Sequence, residues 1–71
     1  MRPDHLALWR VIFIARGERQ AQHIEDLLQH AGFLVERKRS EAGAVHLEDI
    51  EIKVLDSEAE EARMYLMDQG L

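Results

Sequence analysis

Between Trp9 and Ala15 the chain reads Trp-Arg-Val-Ile-Phe-Ile-Ala, with five apolar residues in unbroken succession from Val11, and Arg16-Gly17 closes the run. A run this rich in β-branched and aromatic residues predicts a strand buried on both faces, since a strand with one wet face would alternate. Beyond it, Ala21, Ile24, Leu27, Leu28 and Ala31 recur at helical spacing and place one apolar stripe on a helix over Glu18 to Ala31. Glu18 sets negative charge at the positive end of that helix's dipole, and Gly32 followed by Phe33 has the form of a left-handed C-terminal cap with its hydrophobic contact. Phe33 to Arg39 alternates, with Phe33, Val35, Arg37 and Arg39 on one side and Leu34, Glu36 and Lys38 on the other. That suits a strand that leaves the core as it proceeds.

Ser40 to Asp49 contains Ala42-Gly43-Ala44 and no clear period, so it reads as a connection or as the tip of an extended hairpin. Ile50, Ile52 and Val54 then alternate with Glu51 and Lys53, giving a third strand with one buried and one wet face. Asp56-Ser57-Glu58-Ala59-Glu60 carries a helix-start pattern. The Ser57 hydroxyl is placed to accept from the Glu60 N–H while the Glu60 carboxylate reaches back, which is a capping box. Ala59, Ala62, Leu66 and either Met67 or Tyr65 supply the buried stripe of this second helix, which ends before Gly70.

The order strand, helix, strand, strand, helix predicts an α+β fold. It is most of a ferredoxin-like two-layer sandwich, with a three-stranded antiparallel or mixed sheet, both helices on one face and the fourth strand absent. Residues 1–8, which hold the only proline, form a lead-in, and residues 9–71 form one domain without internal repeat, linker or low-complexity segment. In the complete arrangement the fourth strand would lie beside strand one, so that edge is expected to be unpaired. The sheet face without helices is expected to be bare. Ile12 and Ile14 point opposite to Val11 and Phe13 in a regular strand, so one apolar pair is expected there. Exposed apolar edges and faces call for a partner, and Trp9, Val11, Ile12 and Ile14 are the expected interface of a homodimer.

Composition strengthens that expectation. A chain of 71 residues buries only about 60% of its unfolded surface, and domains of this size are usually held by disulfides, metals, very regular packing or association. The chain has no cysteine, which excludes disulfides and thiolate metal sites and leaves association as the leading means. Its 46% hydrophobic and 32% charged content is that of a globular chain. No signal peptide is visible, and no apolar run approaches the roughly 20 residues of a membrane span, so a cytoplasmic protein without a membrane partner is expected. Residues 1–39 carry +2 and residues 40–71 carry −7, which together give the net −5. That field repels phosphate and argues against nucleic acid as a partner, and an RNA-binding sheet would also need stacking aromatics that are missing here.

The succession Val11-Ile-Phe-Ile-Ala, then Ala21-Gln-His-Ile24-Glu-Asp-Leu27-Leu28-Gln-His-Ala-Gly32-Phe33-Leu-Val35, then Ile50-Glu-Ile-Lys-Val-Leu-Asp-Ser-Glu-Ala-Glu-Glu-Ala62 resembles a family of small bacterial proteins assigned to signal transduction and classed as a domain of unknown function. The resemblance covers about residues 9–69 and rests on packing patterns and helix caps. It implies a fold related to the nitrogen-regulatory PII proteins, in which the connection between strands two and three docks protein partners. That connection corresponds to Ser40 to Asp49. None of the PII nucleotide-binding motifs is present, so nucleotide binding is not carried over.

Few residues offer chemistry. His23 and His30 lie two helical turns apart, about 10 Å along the axis, too far to share a metal ion, and no metal site is expected. His46, Glu48 and Asp49 place a base and two carboxylates in one loop without a partner motif. The hydroxyl residues are Ser40, Ser57 and Tyr65 only, which gives no nucleophile constellation, and a chain this short cannot build a cofactor cleft. Neither an enzyme nor a cofactor is expected. The strongest polar group is basic: Arg16 and Gly17 start helix one, Arg19 follows, and Arg37, Lys38 and Arg39 end the neighbouring strand two on the same rim of the sheet. Arg16, Gly17, Arg19, Arg37 and Arg39 are therefore a candidate site for a small anion, against the plainer alternative of solvated arginines paired with nearby carboxylates. The expected function is a non-enzymatic regulatory or adaptor module acting through protein–protein interaction. The alternative is a sensor of a small anionic metabolite.

Overall fold

A computed structural model describes residues 8–39 and 49–71. In chain order the elements are β1 (Trp9–Arg16), α1 (Glu18–His30), β2 (Val35–Arg39), β3 (Asp49–Leu55), a 3₁₀ turn over Asp56–Glu58 and α2 (Ala59–Asp68). The expected strand and helix order is observed, in an α+β arrangement of one three-stranded sheet and two helices. Residues 40–48 lie outside the described residues, and with them the hairpin-tip reading, the partner-docking connection and the group His46 and Glu48.

The sheet order is β1-β3-β2, and both pairings are antiparallel. β1 and β2 therefore run parallel to each other, as expected, but they are not neighbours: β3 lies between them and pairs with both. Crossing from β1 over the sheet through α1 leaves a strand-wide gap, and β3 fills it. The sheet is antiparallel throughout, not mixed.

One face of the sheet carries the core. Ile50, Ile52 and Val54 of β3 and Ala15 of β1 are buried against Ala21, Ile24 and Leu28 of α1 and Ala59, Ala62 and Leu66 of α2. Both helices thus cover the same face, and the chain's shortest extent, 15 Å, is that of a single helix layer on a single sheet. Leu27 of the expected α1 stripe is half-buried and Ala31 is exposed, because Ala31 is already the C-cap. In α2 the fourth stripe position is Tyr65, which packs on the core and tilts against Phe33 at 6.2 Å between ring centroids; Met67 is exposed.

The expected burial of β1 on both faces is not observed. Only Ala15 is buried, while Val11 and Ile14 stand exposed at 39% and 45%. The strand also fails to alternate. A register shift against β3 between Val11 and Phe13 makes Ile12 a bulge, so Val11 opposes Lys53 whereas Phe13 opposes Ile52. The apolar pair on the uncovered face is consequently Val11 and Ile14, three positions apart, not two residues two positions apart as in a regular alternation. Ile12 and Phe13 both pack against the core.

Both helices end in the same hydrogen-bonded cap. After α1, the Gly32 N–H donates to the Gln29 carbonyl and the Phe33 N–H to the Leu28 carbonyl, each at 3.0 Å, with Gly32 at φ 97°. This is a Schellman motif, and it takes Phe33 and Leu34 out of the second strand, which begins at Val35. Gly70 at φ 86° repeats it after α2, donating to Met67 while Leu71 donates to Leu66. The start of α2 departs from expectation: no side chain caps it. Asp56–Glu58 winds into the 3₁₀ turn, Glu58 becomes the N-cap, and Ser57 lies exposed within the turn instead of at the helix boundary, so the capping box does not form. Among the described residues no helix is long and apolar enough to cross a membrane.

Candidate functional site

Two features beyond the core gather residues that can bind something. The first is the uncovered sheet face with the adjoining edge of β1. Residues opposed across an antiparallel ladder share a face. The registers therefore put Trp9, Val11, Ile14 and Arg16 of β1, Asp49, Glu51, Lys53 and Leu55 of β3, and Glu36 and Lys38 of β2 on the side away from the helices. The face is divided by chemistry. β2 and β3 oppose Glu36 to Lys53 and Lys38 to Glu51, two opposite-charge pairs that suit a solvated surface. The β1 column offers Trp9, Val11 and Ile14, with Leu55 across from Trp9. Among the described residues nothing pairs with the outer edge of β1.

Of the four expected interface residues, Trp9 is half-buried on this face and Val11 and Ile14 are exposed on it, while Ile12 is turned to the core by the bulge. The charged ladder was missed in the sequence. Its signal was present, since Glu36 and Lys38 on one strand and Glu51 and Lys53 on the next have opposite signs at matching alternation, but the register that aligns them is set by burial of Val35, Ile52 and Val54.

The second feature lies at the rim where β1 passes into α1. Arg16 and Gly17 turn the chain, Gly17 at φ 100° is the N-cap of α1, and no side chain caps the helix. The Arg16 backbone N–H donates to Gln20 Oε1 at 2.6 Å, which fixes the turn. A cavity of about 380 Å³ opens here, lined by Arg16, Gly17, Glu18, Arg19, Arg39 and Ile50. Four of the five expected anion-site residues are thus brought together, although β2 is not adjacent to β1. Arg16 and Arg39 both reach this rim because Arg16 pairs with Asp49 and Arg39 with Ile50 at the start of β3.

Arg37 does not line the cavity. Its Nη1 donates to Glu18 Oε2 at 2.6 Å, and its Nη2 lies 3.2 Å from Gln22 Oε1 and 3.3 Å from Glu25 Oε1, so α1 holds it on three partners. Arg16 Nε stands 3.5 Å from Asp49 Oδ1, a loose pair in which that oxygen is buried and accepts no hydrogen bond. The rim can offer guanidinium forks and first-turn N–H groups to a small anion over the apolar floor of Ile50. Glu18 on the same wall is occupied by Arg37.

Other candidates are weaker. His23 and His30 are exposed on α1, and no group of three His, Asp or Glu side chains among the described residues is disposed to hold a metal ion. A shallow cavity of about 330 Å³ between the end of α1 and α2 is lined by Ala31, Phe33, Glu61, Met64, Tyr65 and Asp68. Comparison of the chain with protein-family models, with curated proteins and with solved structures found no match. The resemblance to the signal-transduction family therefore rests on the residue pattern alone.

Proposed function

We propose that this chain is a non-enzymatic regulatory or adaptor module that acts by protein–protein association through the outer edge of β1 and the uncovered face beside it. The observation that carries this is the exposure of Val11 and Ile14 side by side on an eight-residue strand whose outer edge has no partner among the described residues. A ferredoxin-like sandwich without its fourth strand accounts for that geometry. The antiparallel order β1-β3-β2 supports this reading, because the absent strand would occupy the outer edge of β1. A role in bacterial signal transduction, implied by the residue pattern, fits a small domain with an adhesive edge. Sedimentation velocity of the purified chain at micromolar concentration is expected to show dimers, and a monodisperse monomer would overturn the proposal.

The rim cavity favours a second function, sensing of a small anionic metabolite, because it collects Arg16, Arg19 and Arg39 around the start of α1. In a thermal-shift titration a bound anion at about 100 times its Kd adds near 2.7 kcal/mol, and each kcal/mol moves Tm of so small a domain by about 4 to 8 °C. Phosphate and phosphorylated metabolites are expected to raise Tm, and the Arg16→Glu, Arg39→Glu double variant is expected to lose the shift. A shift that survives both charge reversals would remove the rim as its source.

A further inference from the structure

The bulge in β1 determines how a second copy can join that edge. In an antiparallel pair the opposed residues must lie on the same face of the sheet. Two copies of a regular strand related by a twofold axis meet this condition only when the axis passes through a residue. β1 is not regular. Trp9, Val11, Ile14 and Arg16 share the open face, and Arg10, Phe13 and Ala15 share the helix face, because the register shifts at Ile12. An axis through Ile12 would set Val11 against Phe13, and one through Phe13 would set Val11 against Ala15, each joining opposite faces. An axis between Phe13 and Ile14 would oppose those two, which also differ in face.

An axis between Ile12 and Phe13 satisfies the whole strand. It sets Trp9 against Arg16, Arg10 against Ala15, Val11 against Ile14 and Ile12 against Phe13, so all eight residues of β1 are opposed and every pair that straddles the bulge joins like faces. The extra residue of each copy, Ile12, meets Phe13 of the other. An axis between Val11 and Ile12 also respects the faces but engages only Trp9 to Ile14.

Resting on the association proposed above, we infer that the partner is a second copy of this chain, joined through β1 to β1 in the register centred between Ile12 and Phe13. The two sheets then run on as one of six strands. Charge and side-chain chemistry agree with this occupant. Each cation at the ends of β1 stands beside a carboxylate of its own copy, Arg10 beside Asp56 and Arg16 more loosely beside Asp49, so the two edges do not bring bare cations together. Arg16 of each copy is set beside the indole of Trp9 of the other, a cation–π pairing, and Val11 and Ile14 of both copies meet as an apolar quartet around the axis. The edge carries no proline and no lysine, two of the usual guards against such pairing.

The chain has no cysteine, so introduced thiols report the register directly. Val11→Cys and Ile14→Cys proteins are prepared separately, mixed in equal amounts, oxidised mildly and run on a non-reducing gel. Opposed residues of an antiparallel pair have Cα atoms about 4.5 to 5.5 Å apart, inside the range a disulfide spans, whereas identical positions here fall about 10 Å apart. Crosslinked dimer is expected in the mixture and is expected to be lost when either variant is oxidised alone. Both positions are exposed in the single chain, so both variants are expected to keep the unmodified chain's circular dichroism. Trp9→Cys mixed with Ile14→Cys reports the shorter register. Crosslinking there in preference to Val11 with Ile14, or a dimer that crosslinks in neither mixture, would overturn the register while the association stands. A monomeric unmodified chain in sedimentation would overturn both.

Discussion

Gly17 holds φ 100° and ψ 166°, a region that residues with a Cβ almost never adopt, and it does so at the junction that turns β1 into α1. A Cβ built there would meet no heavy atom within 4 Å, so the demand for glycine comes from the backbone and not from crowding. Gly17→Ala is expected to cost about 1 to 3 kcal/mol, read as a lowered urea midpoint at unchanged slope. A loss of only a few tenths would mean the junction relaxes to another conformation. Arg37 shows the opposite limit of reading residues singly. Its charge was visible, and Glu18, Gln22 and Glu25 stand on one face of α1 by spacing alone, but only the packing of α1 over β2 brings them to the guanidinium. With 26% of its side chain exposed, Arg37 belongs to the surface-pair regime. Arg37→Gln is expected to lower stability by about 1 kcal/mol or less in thermal melts and to leave any phosphate-induced Tm shift intact, whereas Arg39→Glu diminishes that shift.

At the scale of elements, the stripes were legible because each helix buries one side and water solvates the other. Ala21, Ile24 and Leu28 in α1, and Ala59, Ala62 and Leu66 in α2, are buried at the positions their periodicity marks. A chain of 71 residues has roughly 4 to 11 kcal/mol of total stability. Ile24→Ala is expected to remove about 2 to 5 kcal/mol of it, and Leu27→Ala, half-buried one position from the stripe's centre, clearly less; urea unfolding of the two variants side by side decides this. The Schellman cap of α1 was equally legible, since Gly32 followed by the apolar Phe33 states both the conformation and its contact. The bulge was not. Val11 to Ala15 is apolar at every position, so no alternation marks where a residue is inserted; the shift is visible only in the pairing with Ile52 and Lys53. The start of α2 misled for a related reason, because Ser57 and Glu60 have capping-box spacing wherever the first turn begins, and a 3₁₀ turn moved that beginning to Ala59. Ser57→Ala is therefore expected to change stability by less than about 0.5 kcal/mol, not by the roughly 1 kcal/mol of a lost cap.

For the whole molecule, the decisive fact is that one layer of helices serves a sheet with two apolar faces on β1. The described core consists of ten residues, four of them alanine, and such a core gains stability when the exposed side of β1 is also withdrawn from water. Association and folding are then linked, and stability depends on concentration. A roughly hundredfold rise in protein concentration stabilises a dimer by about 2.7 kcal/mol, near 1.4 kcal/mol for each chain, which raises Tm of a domain this small by several degrees. Ile14→Lys is expected to abolish that dependence. In the single chain position 14 is already 45% exposed, so the lysine costs little there; across the axis it would set an ammonium against Val11 of the other copy. Each chain also carries −5, so joining two opposes like charge, and salt that screens this repulsion is expected to raise Tm of the unmodified chain more than that of the Ile14→Lys variant. Melts of both proteins across the concentration and salt series separate the contributions. Identical concentration dependence in the two would mean that β1 is not the contact, and the absence of any dependence in the unmodified chain would mean that its small core suffices alone.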